Sequence, residues 1–169
     1  LQATADSTGA WQVDFTGVFD LVEGTDGRSE IRDEQGNSTA VDWRIPNPHI
    51  WADPICECVN GWEWNAGDTI KIQVFDQDGN EFALQNPSQV YAPDVGVFFD
   101  LSPEGIDLQP GYRIVMSDGY ATKELMVTNL AITKIDITAN TISGIYDPAF
   151  GLEINLRDQE RLSLEFEGD

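Results

Sequence analysis

The stretch "STGAWQVDFTGVFDL", residues 7–21, returns in altered form as "DVGVFFDLSPEGIDL", residues 94–108. A phrase written twice in a chain of 169 residues points to an internal repeat, which has to be sought before a fold is named. "GAW" (9–11) matches "GVF" (96–98), "FDL" (19–21) matches "IDL" (106–108), and Gly24 matches Gly111. The correspondence continues through Arg28 and Arg113, "DEQGNST" and "MSDGYAT", and Asn47 and Asn129. Further on, "VNG" (59–61) meets "ISG" (142–144), and Ile70, Ile72, Val74 and Asp76 meet Leu152, Ile154, Leu156 and Asp158. One unit of about 83 residues is present twice.

Apolar residues recur at every second position: Trp11, Val13, Phe15; Ile70, Ile72, Val74; Ile114, Met116; Ile132, Ile135, Ile137; Leu152, Ile154, Leu156; Leu162, Leu164, Phe166. A period of two marks half-buried strands, and the helical period of 3.6 is almost absent. Between these runs lie "EGTDG", "DEQGN", "NAGD", "DQDGN", "QPG" and "SDG", clusters whose Gly, Asn and Asp supply positive φ or side-chain-capped turns. Short strands at such spacing predict an all-β chain, an antiparallel sandwich or barrel. Trp11, Phe98 and Phe99 are expected to fill the space between two sheets.

The patterns "VNGWEWNAGDTIKIQV", "TADSTGAWQVDF", "APDVGVFFDL" and "LQPGYRIVMSDGYATKELMV" together resemble the tandem bacterial immunoglobulin-like (Big-type) repeats of large cell-surface and secreted proteins. The resemblance covers nearly the whole chain and rests on strand-and-turn patterns, so it speaks for fold before activity. It implies two immunoglobulin-like antiparallel β-sandwiches in tandem, joined through "IPNPHIWADP" (45–54), and an extracellular, non-catalytic role. Residues 59–141 read as a complete unit with a closing strand near Asn129 to Ile137, residues 1–58 as the second half of another unit, and residues 142–169 as the first strands of a further one. Either the boundary belongs to a fragment of a longer array, or strands 142–169 complete the half 1–58. Completion by the same molecule or by its neighbour is strand exchange, which between identical copies builds a filament when the contact does not close.

The net charge of −21, from 30 acidic against nine basic residues, is spread along the chain. Such a surface repels phosphate backbones and anionic membranes, which speaks against nucleic-acid binding, and the longest apolar run is far short of the roughly 20 residues a membrane span needs; the surface favours solubility and association with cations. No basic segment followed by an apolar run opens the sequence, and a mature secreted chain reads the same way. Cys56 and Cys58 are the only cysteines; two residues apart on a strand they are too constrained to pair easily with each other. They read as two small half-buried side chains, since one C-x-C with a distant histidine does not make a zinc site.

Two sites are candidates. Asp76, Asp78, Asn80 and Glu81 place oxygen ligands around Gly79 like the front half of a calcium loop, although the same residues suit a solvated hairpin turn; calcium is the one cofactor the sequence suggests. Trp62 and Trp64 share a strand face by alternation and, exposed together, could stack on sugar rings, whereas the competing reading packs them in the core. The partners expected are therefore identical or similar repeat units, other copies of the chain among them, and surface glycans. His49, the sole histidine, lies in the proline-bracketed linker, and no nucleophile elbow, phosphate loop or dinucleotide fingerprint occurs. The sequence reads as a structural or adhesive repeat module, not an enzyme; the alternative is a carbohydrate-binding module attached to a secreted enzyme.

Overall fold

The computed structural model describes residues 2–84, 88–90, 95–157 and 163–167. Asp94, Asp158 and Leu162, used in reading the repeat and the strands, lie outside the described residues. The expected all-β class holds. The strands are β1 (Asp26–Arg32), β2 (Ser38–Arg44), β3 (His49–Asp53), β4 (Cys58–Trp62), β5 (Thr69–Phe75), β6 (Ser88–Gln89), β7 (Val97–Asp100), β8 (Arg113–Ser117), β9 (Thr122–Met126), β10 (Leu130–Asp136), β11 (Thr141–Tyr146), β12 (Glu153–Arg157) and β13 (Ser163–Glu167). Among the described residues the one helical element is a single 3-10 turn at Ser102–Glu104.

Two sheets form the body of the molecule, one ordered β3-β4-β7 and the other β6-β5-β8-β9, all antiparallel. Alternation on each strand sends one row inward: Val59 from β4 and Val97 and Phe99 from β7 meet Ile70, Ile72 and Val74 from β5 and Ile114 and Met116 from β8. Trp64, Leu101, Ile106, Leu108 and Val127 close the same core from the loops. Each fully buried aliphatic side chain contributes about 1.5–3 kcal/mol, so this one cluster supplies most of the driving force for folding.

The sandwich thus runs from β3 to β9, which moves the expected unit of 59–141. His49–Asp53 does not act as a linker but pairs with β4, from His49 opposite Trp62 to Asp53 opposite Cys58. The strand expected to close the unit, β10, pairs instead with β11. The cause is turn chemistry that the two hairpins share. Asp53 Oδ1 accepts from the N–H of Cys56 and Asp136 Oδ1 from that of Ala139. Glu57 and Asn140, one residue further on, both take left-handed backbone with φ 54° and 55°, which folds each strand straight back on its successor.

The same comparison corrects the register of the doubled phrase. Asp14 Oδ1 accepts from Thr16 N–H as Asp100 Oδ1 accepts from Ser102 N–H. Asp14 therefore stands where Asp100 stands, and Trp11, Val13 and Phe15 stand where Val97, Phe99 and Leu101 do, one residue away from the match of "GAW" with "GVF". A slip of one residue exchanges the two faces of a strand. Phe98, expected between the sheets, accordingly points outward, and Trp11, also expected there, is exposed. The equivalence of Gly24 and Gly111 holds to the hydrogen bond: Gly24 donates to Ile45 O and Ile45 to Thr25 O, as Gly111 donates to Val127 O and Val127 to Tyr112 O.

Three hairpins stand apart from the two sheets: β1-β2, β10-β11 and β12-β13. Among the described residues no strand of the first pairs with a strand of the other two. Two ion pairs tie the N-terminal part to the sandwich, Arg44 to Glu63 at 2.9 Å and Glu23 to Lys123.

Cys56 and Cys58 form a disulfide, with Cα atoms 5.2 Å apart, against the expectation that they would not pair. That expectation placed both on one strand. Cys56 instead lies in the turn, and the left-handed Glu57 between them brings the two side chains together.

Candidate functional site

The four residues of the calcium reading do not converge. Asp76 Oδ1 accepts from the N–H groups of Asp78 and Asn80, and Oδ2 from the Asn80 amide. Glu81 is engaged separately, by Gln73 Nε2 at 2.9 Å. The hydrogen bonds from Asn80, side chain first and backbone second, hold the Asp76 carboxyl below its ordinary value. The arrangement recurs at Asp33, which accepts from Gln35 N–H, Asn37 N–H and the Asn37 amide. It recurs at Asp6, which accepts from Thr8 and Ala10. In each, the fourth residue is a glycine with positive φ: Gly9 at 86°, Gly36 at 88° and Gly79 at 84°. In each, the first residue of the D-x-x-G motif caps its own turn, which joins paired segments at Asp33 and Asp76 and lies outside any strand at Asp6, and among the described residues no group of three acidic, histidine or cysteine side chains is arranged for a metal ion.

Trp62 and Trp64 do not share a surface. Glu63 between them takes left-handed backbone, φ 57°, a conformation that costs a non-glycine residue roughly 1–2 kcal/mol and ends β4. Trp64 then turns into the core at 1% exposure, while Trp62 stays on the outer face at 41%. Trp64 lies over Gly61, donates its backbone N–H to Val95 O and leaves its indole N–H buried without a partner among the described residues.

Trp62 has other company. The register sets Trp51 opposite Asn60 on one side and Phe98 opposite Asn60 on the other. Trp51, Asn60, Trp62 and Phe98 therefore lie on one face of the three-stranded sheet, with Trp51 50% and Phe98 57% exposed. His49, opposite Trp62, borders the group at one end, and Asp53 and Asp100, which flank Cys58 in the ladder, border it at the other. The sequence carried a signal for Phe98: adjacent aromatics on one strand point to opposite faces, so Phe98 and Phe99 could not both be core.

A second surface is the inner face of the β1-β2 hairpin. The Trp43 ring lies over Gly27, and an open depression of about 420 Å³ is lined by Trp43, Gly27 and their neighbours Asp26, Arg28, Asp42 and Arg44. In the sandwich the corresponding pair, Ile114 opposite Leu125, faces the core.

No helix among the described residues is long and apolar enough to cross a membrane. No protein-family model matches the chain, and no curated protein does. Among solved structures, a tetra-tandem repeat in the extending region of a large adhesion protein is similar over 98% of this chain, at 17% identity and a TM-score of 0.27. This chain spans 50% of that one, and a likeness at this TM-score carries nothing about how the present chain acts.

Proposed function

We propose that this chain is a non-catalytic structural or adhesive repeat module of an extracellular surface, a subunit of a stalk or filament whose half-units are completed by β-strand pairing with a further repeat unit, another copy of the chain included. One observation carries the reading: apolar positions that are buried in the sandwich are exposed or only half-buried at the matching positions of the segment before β1 and of the C-terminal hairpins. Trp11, Val13 and Phe15 match the buried Val97, Phe99 and Leu101, and the exposed Phe19 and Leu21 match the buried Ile106 and Leu108. On the other side Ile142, 46% exposed, matches Val59 at 0%, and Ile154 matches Ile72.

The two exposed sets are complementary. Residues 1–45 hold the part of a unit that follows β6, and β10 to β13 hold the part that precedes it. Brought together they contain the inward rows of one sandwich. Exposed rows of this extent mark interaction surfaces in soluble proteins, and sheet edges beside them supply the hydrogen bonds for strand addition.

The net charge of −21 opposes contact between copies until salt or cations screen it. Above roughly 0.1 M ionic strength the screening length falls to about 10 Å or less, the regime of saline surroundings. Light scattering on the purified chain at low and at high salt tests the reading. Oligomers that grow with protein concentration and with salt are expected, and Ile142→Asp should abolish them. A chain that stays monomeric under both conditions counts against completion between copies.

A further inference from the structure

The outer face of the β3-β4-β7 sheet carries two aromatic residues, Trp51 and Phe98, that the other copy of the unit does without, and a third, Trp62, beside them. At inward positions the two copies of the unit agree in being apolar: Val59 with Ile142, Phe99 with Val13, Leu101 with Phe15. At outward positions the agreement is partial: Trp62 and Ile145 are both apolar and Asn60 and Ser143 both polar, but Trp51 and Phe98 stand against polar residues. The Asp53 and Asp136 turns set Trp51 against Lys134, Asn60 against Ser143 and Trp62 against Ile145; the Asp14 and Asp100 turns set Phe98 against Gln12. Burial accounts for the inner row, whereas the outer rings at Trp51 and Phe98 are replaced by Lys134 and Gln12 in the other copy, so the repeat does not demand them.

We infer that Trp51, Trp62 and Phe98, with Asn60 between them, form a binding face for an extended, neutral, β-linked polysaccharide. The inference deepens the adhesive reading and rests on it for the setting in which the glycan is met. Trp62 is held for the task. A Cβ on Gly96 would lie 3.0 Å from Trp62 Cε3 and Cζ3, so the indole lies against bare backbone on one side and meets solvent on the other. A ring fixed in this way offers its face with little further loss of freedom on binding. Trp51 and Phe98 stand two strand spacings apart, roughly 10 Å, which matches the advance of two pyranose rings along an extended β-linked chain.

The Asn60 side chain places donors and an acceptor between the rings, where equatorial hydroxyls of a stacked sugar project. The three rings are interleaved with polar groups and do not make one continuous apolar patch, which suits a sugar better than the dry centre of a protein interface. The net charge of −21 selects against anionic polysaccharides.

The test uses the whole chain and three probes: a neutral β-1,4-linked glucan hexamer, the α-1,4-linked hexamer of the same sugar, and polygalacturonate. Calorimetry and tryptophan fluorescence are expected to show binding to the first in preference to the other two. Trp62→Ala should weaken it by about tenfold or more, and Gly96→Ala, which pushes the indole off the backbone, should weaken it to a smaller degree. Tyr120→Ala, at a fully exposed ring elsewhere, should leave it unchanged.

Absence of binding to the β-linked hexamer, preference for the α-linked chain or for polygalacturonate, or equal binding by a Trp51→Ala, Trp62→Ala, Phe98→Ala triple variant overturns the inference. So does loss of self-association in Trp62→Ala without any glycan binding, since the face then serves a protein contact. Light scattering on the same samples keeps the two readings separate. Ile142→Asp should lose assembly and keep the glycan, so failure of either property leaves the other measurable.

Discussion

Gly61 lies directly beneath the indole of Trp64: a Cβ at this position would be 2.6 Å from Trp64 Nε1, 2.9 Å from Val97 Cγ1 and 3.0 Å from Met116 Sδ. The glycine is what lets β4 approach the ring that plugs the core. Gly61→Ala is therefore expected to destabilise by about 1–3 kcal/mol through overpacking, lowering the melting temperature of a unit this size by roughly 5–20 °C. Thermal denaturation checks it, and an unchanged melting point would mean that Trp64 is not seated against this strand.

Equivalent residues in the two copies should respond differently. Val59→Ala opens a cavity in a closed core and is expected to cost about 1–3 kcal/mol. Ile142→Ala removes more carbon from the same place in the repeat, yet in dilute chain at low salt it should cost less than about 0.5 kcal/mol, because the side chain is half exposed. Denaturant melts of the two variants, at low and high salt, decide the matter. A penalty for Ile142→Ala that appears only at high salt is the outcome expected when a second repeat unit covers it.

The Asp76 turn has a pH signature. Hydrogen bonds from Asn80 depress the folded-state carboxyl below its ordinary value of 3.8, so the stabilisation is complete above that value and is lost as pH falls through the lower, folded one. Acid also relieves the mutual repulsion of 30 carboxylates, which acts in the opposite direction over the same range. Asp76→Asn separates the two: the parent's advantage over the variant should shrink below about pH 3.8. A carboxyl titration by NMR with a midpoint at or above the ordinary value would contradict the capped geometry. Calcium should shift the melting of parent and variant alike, because both Asp76 oxygens already accept hydrogen bonds within the turn.

Reduction of the Cys56–Cys58 bond should have a small effect. A loop this short withholds little entropy from the unfolded chain, about 1.5 kcal/mol, and the core of Val59, Ile70, Ile114 and Met116 does not depend on it. Melting with and without reductant should differ by several degrees with cooperativity retained. Collapse of the β-sheet circular dichroism on reduction would show that the turn, not the core, holds β3 to β4.

The strands and their inward rows were legible because a period of two is written residue by residue: Ile70, Ile72 and Val74 alternate with Lys71 and Gln73 wherever the strand lies. The D-x-x-G turns were legible for the same local reason, since Asp33 and Asp76 cap peptide groups within four residues of themselves. What misled were positions where backbone sign breaks the alternation. Left-handed Glu63 sent Trp64 inward and left Trp62 outside, and left-handed Glu57 brought two cysteines together. Neither glutamate advertises a positive φ as glycine or asparagine does.

By itself the sequence determined the all-β class, the repeat and which residues can face a core, because these follow from local steric preference and side-chain alternation. Only the tertiary structure decided where the unit begins and which aromatics gather around Asn60. Those depend on which strands pair across the chain, as β4 does with both β3 and β7, and pairing at long separation is selected by the fit of the whole core, with no short stretch of residues to record it.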